Sequence, residues 1–99
     1  MSTSMLHPPV ERALRAVSRG YFLPPAWRSC AAADEPLPIG FGQTTSQPSL
    51  VARILDELAL TGESRVLEVC TGSGYQTALL ADLAGEVFTV DRLSVLAAA

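Results

Sequence analysis

The pentapeptide CTGSG, residues 70–74, sits where an apolar run gives way to a helix-forming stretch. From such a loop, backbone N–H groups and the positive end of a helix dipole can face a ligand. Gly72 and Gly74 permit positive φ and close approach. Two carboxylates bracket the loop. Glu68 lies two residues before Cys70, and Asp91 ends the next apolar run, where a carboxylate can accept hydrogen bonds from ribose hydroxyls. The bland reading, a tight strand–helix turn, accounts for TGSG alone but not for the two acids around it. Cys70 stands where a glycine is expected. Small and often buried, it can fill a glycine's place if φ is negative there. No base or cation lies beside it in sequence to activate the thiol, so it reads as a space-filling residue that narrows a pocket.

Two ligand classes use this plan. A dinucleotide asks for G-x-G-x-x-G, and the run from Gly72 and Gly74 meets Thr77 at the third position. The G-K-[ST] ending of a phosphate-binding P-loop is also missing. A loop lacking the third glycine, with an acid at the end of the first strand, is more similar to the S-adenosylmethionine site of class I methyltransferases.

The elements that must carry these residues follow from hydrophobic spacing. Pro8 and Pro9 suit a helix start, with Val10, Ala13, Leu14 and Val17 at helical intervals and Gly20 as a stop. Residues 21–40 hold four prolines and the single Trp, which implies extended chain and a short helical turn. Residues 39–48, IGFGQTTSQP, read as a polar, Gly-flanked loop. Pro48 opens a second helix with Leu50, Val51, Ile54, Leu55 and Leu58 on one face, and TGES makes a turn. Residues 66–70 read as a buried strand, 73–83 as a helix, 86–90 as a second strand, and Arg92 onward as another helix start. Strand, helix and strand in that order form a βαβ unit, with parallel strands and a right-handed crossover. Parallel sheets are normally covered on both faces and hold more strands. The expected fold is therefore α/β: N-terminal helices plus the first βαβ unit of a Rossmann-like fold, incomplete in this chain. Residues 1–47 form the N-terminal helical segment and polar loop, and residues 48–99 the start of the Rossmann-like domain.

Composition narrows the function. The chain has 99 residues, 48% hydrophobic and 17% charged, so it is no disordered tail. Its net charge of −3 argues against a nucleic-acid partner, which would call for a basic face. All seven basic residues are Arg, a compositional bias rather than a patch. The N-terminus lacks the features of a signal peptide, and no apolar run is long enough to span a membrane. Two distant cysteines are too few for a disulfide scaffold and agree with a reducing cytoplasm. One His and two distant Cys make no metal site.

The stretches PLPIGFGQTTSQP, RVLEVCTGSGYQTALLA and EVFTVDR, in that order and spacing, resemble the protein-L-isoaspartate O-methyltransferase family. ERALRAVSRGYFLPP resembles its N-terminal segment. The first of these stretches is specific to the family, whereas the Gly-rich loop alone indicates only a class I methyltransferase. The resemblance implies transfer of a methyl group from S-adenosylmethionine to the free α-carboxylate of isoaspartyl residues in damaged peptides. The ester then closes to a succinimide that reopens partly to aspartate. It also implies Ser46 as the active-site serine, and Gln43, Thr44 and Thr45 beside the cofactor. Glu68, Thr71, Gly72, Ser73 and Gly74 would form the cofactor loop, with Asp91 and Arg92 at the ribose-and-adenine edge. A carboxylate is already nucleophilic at neutral pH, so Ser46 is expected to orient it by a hydrogen bond rather than to attack. The bland reading of TTSQP is an N-cap for the helix at Pro48, which is compatible with catalysis.

The chain departs from the family pattern at Cys70, at Thr45 in place of an aliphatic residue, and at Ser49 in place of an aromatic or His. The family is about twice as long. A related methyltransferase with another acceptor and an inactive truncated product both remain open, as does the oligomeric state. Trp27, Tyr21 and Phe22 are expected to pack between the first helix and the loop, His7 to be exposed, and Asp56 and Glu57 to form a solvated helix face.

Overall fold

The computed structural model describes residues 6–40 and 42–91. Helix α1 spans Pro8–Ala16, with its prolines in the first turn where a missing N–H costs nothing. It ends before Gly20. Val17 is already extended, and residues 19–22 form a short 3₁₀ turn that carries Arg19 inward. A second 3₁₀ turn spans Pro25–Cys30.

The stretch expected to be a loop, residues 39–48, instead contributes to a β-hairpin. Strand β1 (Leu37–Gly40) pairs antiparallel with β2 (Gln43–Thr45), with Leu37 opposite Thr45 and Pro38 opposite Thr44. Leu37 and Ile39 are buried while Pro38 and Gly40 are exposed. This period-2 alternation is short and hidden among glycines and prolines. Gly40 (φ 91°) and Gly42 (φ 70°) supply the left-handed backbone that reverses the chain.

Helix α2 spans Pro48–Leu58 and buries Val51, Ala52 and Leu55. The expected stripe is shifted. Leu50, Ile54 and Leu58 are exposed, because the core admits only the neighbouring row. Ala59 ends α2 in a left-handed conformation, and the Ser64 N–H closes the TGES turn onto the Thr61 carbonyl.

Strand β3 (Arg65–Val69), helix α3 (Tyr75–Leu83) and strand β4 (Glu86–Val90) form the expected parallel βαβ unit, in register from Arg65–Glu86 to Val69–Val90. Helix α3 begins two residues later than predicted, because Ser73 and Gly74 belong to the loop. The core joins Leu6, Val10 and Ala13 to Val51, Ala52 and Leu55 of α2 and to Tyr75, Leu79, Leu80 and Leu83 of α3, with Val66 and Val87 packed against it. Strand β3 is therefore not buried throughout. Leu67, Val69, Phe88 and Val90 are 49 to 68% exposed on the opposite sheet face.

The aromatic expectation holds only in part. Phe22 packs at a tilt on Tyr75, with ring centroids 5.9 Å apart, whereas Tyr21 is 85% exposed and Trp27 also reaches solvent. Asp56 is not simply solvated. Its Oδ1 accepts the His7 backbone N–H at 2.8 Å and lies 2.7 Å from His7 Nδ1, although the His7 side chain is exposed.

Candidate active site

The Gly-rich loop is closed by β4. The N–H groups of Cys70 and Thr71 both donate to the Val90 carbonyl, at 2.7 and 3.2 Å. The Gly72 N–H donates to Asp91 Oδ2 at 2.9 Å, so the acid after β4 and the loop after β3 are fastened to one another. The Gly74 N–H donates to the Thr71 carbonyl at 3.1 Å, and α3 starts from that turn. Gly72 (φ 58°) and Gly74 (φ 92°) adopt left-handed backbone.

Cys70 does so too, at φ 72°. This overturns the expectation of negative φ at that position. Cys70 occupies a glycine's place with a glycine's backbone, and its side chain is exposed rather than buried. The strained conformation is energetically unfavourable for a residue with a Cβ.

Glu68 is 5% exposed, and its carboxylate knits three elements together. Oε1 accepts the hydroxyls of Thr77 on α3 and Thr89 on β4, the latter at 2.7 Å, and Oε2 accepts Gln76 Nε2 at 3.1 Å. A hydroxyl has one proton, and Thr89 gives its proton to Glu68. Thr71 must then donate to Thr89 across their 2.6 Å contact. The relay Thr71 to Thr89 to Glu68 holds the loop's first residues over the sheet. Sequence reasoning missed Gln76, Thr77 and Thr89. Thr89 was within reach, since it pairs in register with Glu68 and shares its inward face.

The hairpin brings the second motif to the same place. Gln43, Thr44, Thr45 and Ser46 line a cleft of about 240 Å³ together with Glu68, Cys70, Thr71, Gly72, Ser73 and Asp91. Gly74 faces an adjoining groove of about 630 Å³ bordered by Phe22 and Ile39. Arg92, the remaining expected cofactor residue, lies outside the described residues, as does the helix expected to begin there.

Ser46 does not cap α2. Asp34, remote in sequence, does so instead. Its Oδ1 accepts the Ser49 N–H at 2.8 Å and its Oδ2 accepts Gln47 Nε2 at 3.2 Å. The Ser49 N–H is the main reason that the Asp34 carboxyl sits below the usual carboxylate range. Among the described residues the Ser46 hydroxyl makes no hydrogen bond, and the side chain is exposed at the cleft. Nearby Tyr75 is buried, and desolvation raises its phenol above the ordinary value, opposed by the charge of Arg19. No cluster of three metal-ligating side chains occurs among the described residues, and no helix there is long and apolar enough to cross a membrane.

Comparison with known proteins gives consistent results. The family model for protein-L-isoaspartate(D-aspartate) O-methyltransferase matches residues 2–99. Protein-L-isoaspartate O-methyltransferase 1 of Anaeromyxobacter sp. (strain Fw109-5) is 58% identical over 91 residues, covering 92% of this chain and 43% of that protein. The Vibrio cholerae (strain ATCC 39541) protein-L-isoaspartate O-methyltransferase is 52% identical over 89 residues, covering 90% and 43% respectively. Among solved structures, a Plasmodium falciparum chain described as a protein-L-isoaspartate O-methyltransferase, in complex with S-adenosyl-L-homocysteine, superposes with a TM-score of 0.71 at 25% identity. It is covered to 44% of its length, for 91% of this chain. The chain thus spans less than half the length of these relatives.

Proposed function

Since the chain belongs to the protein-L-isoaspartate(D-aspartate) O-methyltransferase family, we propose that it carries the methyl-transfer half of an isoaspartyl carboxyl methyltransferase. The observation that supports this reading most is the shared cleft. Strand β2 with Ser46 just after it (residues 43–46) and the loop residues 70–73 are well separated in sequence yet line one cavity beside Asp91.

The residues present fit S-adenosylmethionine. Gly72 has no side chain in the way of a ligand, and two carboxylates, Glu68 and Asp91, border the cleft that would receive a cationic sulfonium. The cofactor would supply an electrophilic methyl group to a substrate carboxylate oxygen. Asp91 holds the loop through the Gly72 N–H and would accept ribose hydroxyls. Glu68, held by donors from Gln76, Thr77 and Thr89, fixes the loop's platform. Ser46, relieved of capping, has its hydroxyl available to orient the substrate carboxylate. A carboxylate needs no general base at neutral pH, so alignment and exclusion of water are the work left to the protein.

The substrate is an isoaspartyl peptide or protein. The division into residues 1–47, the N-terminal helical segment with the active-site loop, and 48–99, the start of the Rossmann-like domain with the Gly-rich loop, belongs to the same proposal, as does a cytoplasmic location. The test is a chimaera in which this chain replaces the matching 91-residue portion of the Anaeromyxobacter relative. Incubated with an isoaspartyl peptide and methyl-labelled cofactor, it should yield a base-labile methyl ester, and no ester should form on the aspartyl peptide. A folded chimaera that forms no ester would sink the reading.

A further inference from the structure

We propose that Arg19 is a positioning residue for Ser46, acting as a buried fork that fixes the backbone of the active-site loop against the N-terminal segment. Arg19 is 5% exposed. Nη1 donates to the carbonyls of Ala33 at 2.9 Å and Ala31 at 3.4 Å. Nη2 donates to the carbonyls of Glu35 at 2.7 Å and Ser46 at 3.4 Å. No carboxylate forms an ion pair with Arg19 among the described residues. Its charge is met by carbonyl dipoles, and its Nε is buried with no partner. A buried charge is costly unless hydrogen-bonded. The guanidinium therefore holds these carbonyls as firmly as they hold it.

What it gathers has a functional consequence. The hydroxyl of Ser46 makes no hydrogen bond of its own among the described residues, so the residue is held only through its backbone. Arg19 grips the Ser46 carbonyl, while Asp34 grips the Gln47 side chain and the Ser49 N–H. Both ties run to residues 31–35. The planar fork is essential, because its two terminal nitrogens reach separate pairs of carbonyls at once, Nη1 those of Ala31 and Ala33 and Nη2 those of Glu35 and Ser46, which the single ammonium nitrogen of a lysine does not reproduce. The proposal rests on the methyltransferase reading for its kinetic consequence but not for its structural one.

The test has an arm for each. In the 99-residue chain, wild-type Arg19 should show separate, slowly exchanging guanidinium NMR signals, with NOEs from its Nη protons to Ser46 and Gln47. A single averaged signal without those NOEs would overturn the proposal, and this needs no variant to fold. In Arg19→Lys, amide hydrogen exchange in the paired strand that leads into Ser46, β2 (Gln43–Thr45), should quicken by roughly tenfold or more, as expected for losing a charged hydrogen bond, while Glu68, Leu79 and Leu80 keep wild-type protection. Uniform acceleration would mean a merely structural role. In the chimaera, Arg19→Lys should lower kcat on isoaspartyl peptide by about 10- to 100-fold, the scale of a small misplacement of a reacting group, with S-adenosylhomocysteine affinity unchanged. Equal loss of both would refute the positioning role. A wild-type chimaera that is inactive would instead refute the functional reading and leave the exchange and NOE results to decide Arg19.

Discussion

Replacing Cys70 by Gly should stabilise the chain. Cys70 holds φ 72°, in the left-handed region. That conformation costs a residue with a Cβ about 1–2 kcal/mol, and glycine adopts it freely. Against this, glycine adds freedom to the unfolded chain, worth roughly 0.4–1 kcal/mol. Little packing is lost, because the thiol is exposed. The Cys70 N–H bond to Val90 at 2.7 Å is a backbone bond and survives. The net gain is about 0.5–1 kcal/mol, which for a domain of this size raises Tm by roughly 2–8 °C. Thermal and urea unfolding of the 99-residue chain would measure it, with Cys70→Ala as the control. Alanine keeps the Cβ and the strain, so it should stay within about 0.5 kcal/mol of wild type. A destabilised Cys70→Gly would refute the strain argument. So would an alanine variant as stable as the glycine one, since the thiol rather than the backbone would then be at fault. S-adenosylhomocysteine affinity in the chimaera should hold or improve in Cys70→Gly.

Other outcomes follow from the same geometry. A Cβ on Gly85 would lie 2.2 Å from the Gly62 carbonyl oxygen, so Gly85→Ala should cost about 1–3 kcal/mol in urea unfolding. Gly62→Ala, with open space around it, should be close to neutral. Thr89→Val keeps the strand but strips Glu68 of one donor and Thr71 of its acceptor. A loss of about 1–3 kcal/mol is expected, visible as a lower urea midpoint with unchanged circular dichroism. Asp34 has a folded carboxyl below its ordinary value. Its contribution is therefore present above the unfolded pKa and is lost as pH falls through the folded one. Asp34→Asn retains an acceptor for the Ser49 N–H but cannot titrate, so urea midpoints measured from pH 6 down to 3 should fall less steeply below about pH 4 than in wild type.

The βαβ unit was legible because two apolar runs, a Gly-rich loop and an intervening helical pattern are local signals. That Glu68 and Asp91 would lie beside the Gly-rich loop was legible from their places toward the strand ends. The hairpin was not, because Pro38 and the glycines at 40 and 42 speak for a loop, while pairing depends on residues across the turn. The face of α2 was misjudged because apolar residues fill two adjacent rows, and only tertiary packing selects Val51, Ala52 and Leu55. The cap on α2 comes from Asp34, fifteen residues before Ser49, beyond any local capping rule. Arg19 looked like one arginine among seven. Its burial depends on α1 ending early enough for the side chain to turn inward. At Cys70 the residue type pointed one way and the backbone went another, because the loop needs a left-handed residue there whatever the side chain.

The division of labour between the two loops is the core of the account, and Ser46→Ala in the chimaera tests it most directly. Measured on one preparation, kcat for the isoaspartyl peptide should fall by about 10- to 100-fold, as expected when the reacting carboxylate loses its orienting donor. The dissociation constant for S-adenosylhomocysteine, for which Gln43, Thr44, Thr45, the 70–74 loop and Asp91 are the proposed contacts, should be unchanged. An unaltered kcat, or a parallel loss of cofactor affinity, would contradict the assignment of Ser46 to substrate orientation.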